Sequence, residues 1–73
     1  MNDLEARVLG LVSGVAGRPV ADPEARWRTL GMDSLDLLSL VTAVEDEFGI
    51  DIPDPIAMTL HCGSDVIELL SRR

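Results

Sequence analysis

Between Ser34 and Phe48 the apolar residues Leu37, Leu40, Val41, Val44 and Phe48 recur at steps of one, three and four. At about 100° per residue, that spacing places all five on one narrow stripe of an α-helix. A strand would scatter them over both faces, because its side chains alternate at every residue. The segment is therefore read as a helix from about Ser34 to Phe48, with the stripe facing the core. Asp33 is a good N-cap for it, and Asp36 sits in the first turn, where negative charge is favoured. Gly49 supplies a left-handed residue beyond the last turn, and Ile50 can then fold back on Val44.

The same period recurs at Leu4, Val8, Leu11, Val12 and Val15, which predicts a first helix near residues 3–16. Asn2 can cap it, Glu5 completes a capping-box pattern, and Gly17 with Arg18-Pro19 stops it. Residues 18–33 carry two prolines and no sustained period, so they are read as a long ordered loop that Trp27 and Leu30 pin to the bundle. Residues 51–55 are expected to be extended, and a short turn of helix follows at Pro55–Met58, since proline is tolerated at a first helical position. Ser64 or Cys62 can cap a last helix running to about Arg72, with Val66, Ile67, Leu69 and Leu70 facing inward or nearly so. Arg72 and Arg73 suit its negative end. The expected fold is all-α, a small antiparallel bundle of three main helices and one short one, with residues 1–73 as a single domain.

Size and charge then narrow the function. A chain of 73 residues buries only about 60% of its unfolded surface, which leaves little room for a deep catalytic cleft. Net charge is −7, and from Thr29 through Ser71 there are nine acids and no Lys or Arg. Nucleic acid and anionic membrane are disfavoured, because both need cations to meet phosphate. Such a field favours fast, salt-sensitive encounter with basic partners, or serves plain solubility. Cys62 is alone, which rules out an internal disulfide and fits a reducing compartment. No apolar run approaches the roughly 20 residues of a membrane span, and nothing at the start resembles a signal peptide. A cytoplasmic monomer is expected.

Ser34 opens the second helix. Serine there is ordinarily a cap or a first-turn residue, but Asp33 already fills the cap and leaves the Ser34 hydroxyl free. Leu35 and Leu38 lie near the serine on the helix surface, as contact surface or under the long loop. Farther along, Glu45-Asp46-Glu47 places three acids where the helix dipole is already negative. The run is either a docking surface for Arg-bearing partners or an ordinary solvated face. His61 is far along the sequence from Ser34, so a Ser–His catalytic pair is not expected, and His61-Cys62 is too small a set for zinc. Cys62 is read as a small packed residue. An enzyme is therefore not expected.

The stretch Leu30-Gly31-Met32-Asp33-Ser34-Leu35-Asp36 through Phe48-Gly49-Ile50-Asp51-Ile52-Pro53-Asp54 resembles the acyl carrier protein family. The likeness spans essentially the whole chain and rests on the set of motifs, since a bare Asp-Ser-Leu is a weak signal. The resemblance implies that Ser34 receives 4′-phosphopantetheine from coenzyme A and that acyl intermediates ride on the arm as thioesters. It also implies that Asp33, Leu35, Asp36, Leu38, Glu45 and Asp46 meet a phosphopantetheinyl transferase, a loading enzyme, and a ketosynthase or other acyl-processing enzymes with basic docking patches. Ile56 and Met58 in the short third helix are expected to touch partners or cargo.

The chain departs from many fatty-acid carriers at Ser39, at Thr42 and in the apolar Pro55-Ile56-Ala57-Met58. These differences favour a specialised, freestanding carrier of a polyketide or related pathway. An aminoacyl or peptidyl carrier loaded by an adenylating enzyme is the alternative, and a non-catalytic acidic helical interaction module is the alternative of another class.

Overall fold

The computed structural model describes residues 3–72, and four helices make up its regular structure: α1 (Asp3–Ala16), α2 (Ser34–Phe48), α3 (Asp54–Ala57) and α4 (Gly63–Arg72). The bounds of α1 and α2 coincide with those expected from periodicity. The expected Asn2 cap and the terminal Arg73 lie outside the described residues. α1 packs against both α2 and α4. The core forms where Val8 and Val12 of α1 meet Leu40, Val41 and Val44 of α2 and Val66 and Leu70 of α4. Leu37 and Phe48 pack half-buried beside it, so the five-residue stripe of α2 does face inward.

α2 is defined at both ends by local chemistry. Asp33 Oδ1 accepts the Asp36 N–H at 2.9 Å, and Asp36 Oδ2 accepts the Asp33 N–H at 3.1 Å, a reciprocal box made by two aspartates. At the other end Gly49 takes φ 64°, a left-handed conformation that a side chain would disfavour. There the Gly49 and Ile50 amides both donate to the Glu45 carbonyl, at 2.9 and 3.3 Å. Ile50 packs against the core cluster containing Val44, as the expected helix ending requires.

Two helix starts differ from expectation. α3 begins at Asp54 rather than Pro55, with Pro53 before it and Pro55 as its second residue. The Pro53 carbonyl accepts the Ile56 and Ala57 amides, both at 3.0 Å. Proline fits a second position as well as a first, because no amide in the opening turn has an intrahelical acceptor. α4 begins directly after Cys62, yet neither Cys62 nor Ser64 caps it through its side chain. Instead the Ser64 N–H donates to the Pro23 carbonyl of the long loop at 2.8 Å. Asp65 Oδ2 reaches back to the His61 N–H at 2.7 Å, and the Ser64 hydroxyl donates to Glu24. The loop caps this helix, and a loop reaching back across the chain has no local sequence signature.

The same loop is held at its other end by Trp27. This residue is 7% exposed, and its Nε1–H donates to the Leu60 carbonyl at 2.8 Å. The Trp27 backbone N–H donates to the His61 carbonyl at 3.0 Å, and Arg26 pairs with Cys62 in an isolated antiparallel bridge. Cys62 is packed there, buried. Leu30 is half-buried against the core, so both residues expected to pin the loop do so. Past Trp27 the chain turns through Gly31, whose φ of 75° again favours glycine, and the Met32 N–H closes back on the Trp27 carbonyl at 2.9 Å. That closure delivers Asp33 and Ser34 to the head of α2.

Candidate functional site

Ser34 is the first residue of α2 and is exposed. Asp33 and Asp36 satisfy each other's amides, and none of the hydrogen bonds among the described residues engages Ser34 Oγ. The hydroxyl is therefore open to solvent, beside a helix N-terminus whose partial positive charge favours an added anion. A serine held this way fits modification by another protein.

Two open grooves meet at Ser34. One, of about 250 Å³, lies between α2 and the α3 region and is lined chiefly by Leu37, Leu38, Val41, Ala57 and Met58. The other, of about 240 Å³, lies on the loop side and is lined by Arg26, Trp27, Arg28, Met32 and His61, with Asp33 at its edge. Ser34 and Leu37 border both. One groove is apolar and the other carries cations.

The surface beyond the serine is apolar where a solvated helix would be polar. Leu35 is 70% exposed and Leu38 55%, so the long loop covers neither. Met58 is 74% exposed and Ile56 41%, which brings four large apolar side chains from α2 and the α3 region to the surface. Burial of such groups is worth about 25 cal/mol per Å², and their exposure marks surface on which another molecule can settle.

The acid run at the end of α2 divides by role. Glu45 is half-buried, and its Oε2 accepts the Ile52 N–H at 2.8 Å, tying the segment after α2 to the helix. Glu47 Oε2 pairs with Arg7 Nη2 of α1 at 2.8 Å, and the Arg7 guanidinium also sits 4.4 Å from the centre of the Phe48 ring. Asp46 is exposed and makes no hydrogen bond or ion pair among the described residues. Glu45 and Glu47 thus take structural partners that the sequence did not reveal, whereas Asp46 takes none among the described residues.

His61 is distant from Ser34 in the sequence but not in the fold. It is 27 positions from Ser34 yet lines the same groove, because the Arg26–Cys62 bridge draws the α3–α4 connection under the loop. No hydrogen bond joins the two side chains, so no charge-relay pair forms. Arg26 and Arg28 were not singled out from sequence. Trp27 is readable as an anchor for the loop, but no local pattern places the flanking arginines beside Ser34.

An all-α bundle that displays a free serine at a helix head, with apolar surface beside it and no nucleophile–base pair among the described residues, has the architecture of a carrier. Residues 6–70 match the family model described as "Phosphopantetheine attachment site". Among solved structures, the chain is similar to an acyl carrier protein from Thermotoga maritima, at 30% identity and a TM-score of 0.78, over 94% of this chain and 84% of that one. The chain belongs to the acyl carrier protein family. It is a non-catalytic carrier whose prosthetic group is 4′-phosphopantetheine. Members of the family are served by phosphopantetheinyl transferases and work with acyl-processing enzymes.

Proposed function

We propose that Ser34 is the residue that receives the arm, and that the protein presents acyl groups to the enzymes of a polyketide or related biosynthetic pathway. The observation that carries the assignment is the Ser34 hydroxyl, exposed and unengaged at the head of α2 while Asp33 and Asp36 cap the helix in its place. Once attached, the arm supplies a terminal thiol that holds an acyl group as a thioester on a long, flexible tether. The chain's own part is to hold the serine accessible, to keep the bundle rigid behind it, and to offer a surface that partners recognise. Residues 1–73 act as one carrier domain, a monomer working in the cytoplasm.

The partner surface comprises Asp33, Leu35, Asp36, Leu38, Glu45, Asp46, Ile56 and Met58. Exposed Leu35, Leu38, Ile56 and Met58 supply apolar area, and the acids around them orient approach by basic patches on the transferase, the loading enzyme and a ketosynthase. The specialised pathway is supported by Ser39 and Thr42 on the open face of α2 and by the apolar exposure of Ile56 and Met58.

Incubation with coenzyme A and a broad-specificity phosphopantetheinyl transferase tests the assignment by intact mass. One arm is expected on the wild type and none on Ser34→Ala. Unmodified wild type, or a modified Ser34→Ala, would overturn it.

A further inference from the structure

The loop-side groove carries chemistry that the carrier reading does not use. The chain has six arginines against thirteen acids. Among the described residues Arg7 is paired with Glu47 and Arg72 with Glu68, whereas Arg26 and Arg28 make no ion pair. Both are exposed, and both line the groove that Ser34 borders, as does His61. Two unpaired cations beside one serine are anomalous in a protein of net charge −7.

Their backbones are also fixed. Arg26 is bridged to Cys62, and its carbonyl accepts the Leu30 N–H at 3.0 Å, while the Arg28 carbonyl accepts the Gly31 N–H at 3.2 Å. Trp27 between them is locked by bonds to Leu60 and His61. The two guanidinium groups therefore start from anchored positions, on either side of a residue that points into the core. A guanidinium presents a planar fork of donors that fits phosphate oxygens, and it stays charged at every physiological pH.

We propose that Arg26 and Arg28, with His61 beside them, hold the phosphodiester of the arm on the loop side of Ser34, so that the arm leaves the serine across this cationic groove. The inference rests on Ser34 being the attachment site. A phosphodiester there is bonded directly to Ser34 Oγ and carries one negative charge at the mouth of a groove that both side chains line. It also lies at the α2 N-terminus, so the dipole and the arginines act in the same sense. Asp33 is the one acid lining the groove, and one of its carboxylate oxygens is already occupied by the Asp36 amide. A carboxylate at the far end of a dicarboxylic cargo would have to fold back along the whole arm to reach the same place, so the phosphodiester is the favoured occupant.

The test compares the arginine Nε–Hε resonances of apo protein with those of holo protein made with coenzyme A and a transferase. Intact mass is taken on the same samples. The Arg26 and Arg28 signals are expected to shift on going from apo to holo and to return toward their apo positions at high salt, because the pairing is solvent-exposed and screened. Arg18, which does not line the groove, should not move. In holo Arg26→Gln/Arg28→Gln the phosphorus resonance of the arm should differ from wild type. Added mass with unmoved arginine signals overturns the inference and leaves Ser34 as the attachment site. A shift that appears only after loading a dicarboxylic acyl group, and not an uncharged one, also overturns it by assigning the groove to cargo. If no mass is added, the inference and the attachment site fall together.

Discussion

Glu45 and Asp46 are neighbours of the same charge on the same helix, and the structure predicts opposite effects on stability when each is replaced by alanine. Glu45→Ala removes the half-buried bond from the Ile52 amide to Oε2, made at 2.8 Å. Hydrogen bonds to charged groups contribute about 1.5–3 kcal/mol, and partial exposure puts this one near the lower end. Removing a negative charge from the C-terminal turn returns a few tenths of a kcal/mol, as does the better helix propensity of alanine. The net expectation for Glu45→Ala is a loss of about 1 kcal/mol.

Asp46→Ala loses no bond among the described residues and gains both small terms, so it should stabilise by roughly 0.3–1 kcal/mol. Urea unfolding followed by circular dichroism resolves the difference, with unchanged slope as the check that only stability has moved. In a domain of this size each kcal/mol corresponds to about 4–8 °C in Tm. Glu45→Gln, which keeps an acceptor oxygen, should lose less than Glu45→Ala. If Glu45→Ala and Asp46→Ala shift the midpoint in the same direction by similar amounts, the division of the acid run into a structural and a free member is wrong.

Two further substitutions test the scaffold behind the serine. Trp27→Phe keeps most of the buried ring but leaves the Leu60 carbonyl without its donor, and it should cost about 1–3 kcal/mol, read by chemical denaturation. Leu40→Ala opens a cavity among Val8, Val12, Val44 and Val66 and should cost about 2–5 kcal/mol in the same assay. A loss under 1 kcal/mol for Leu40→Ala would mean that the α2 stripe is not the core.

What the sequence made legible was local. The periods of α1 and α2, the Asp33 cap and the Gly49 ending each depend on residues within a turn or two of one another, and each was found where expected. The free Ser34 hydroxyl followed from the same local logic. What stayed hidden depended on contacts across the chain. Pro23 caps α4 from 41 positions away, and the Arg26–Cys62 bridge gathers Arg26, Arg28 and His61 around a serine none of them adjoins in sequence. Glu45 reads as surface because its partner is a backbone amide, and an amide carries no residue identity for a pattern to match. Exposed Leu35 and Leu38 could be read either way until the path of the loop was known, since the question was what covers them rather than what they are.

Of the several hydroxyls on this chain, carrier function needs one, Ser34 Oγ. Fragment-ion mass spectrometry of the wild-type protein, after modification with coenzyme A and a transferase, locates the arm directly. The arm is expected on Ser34 alone, and an arm found on Ser13, Ser39, Ser64 or any other side chain would refute the assignment.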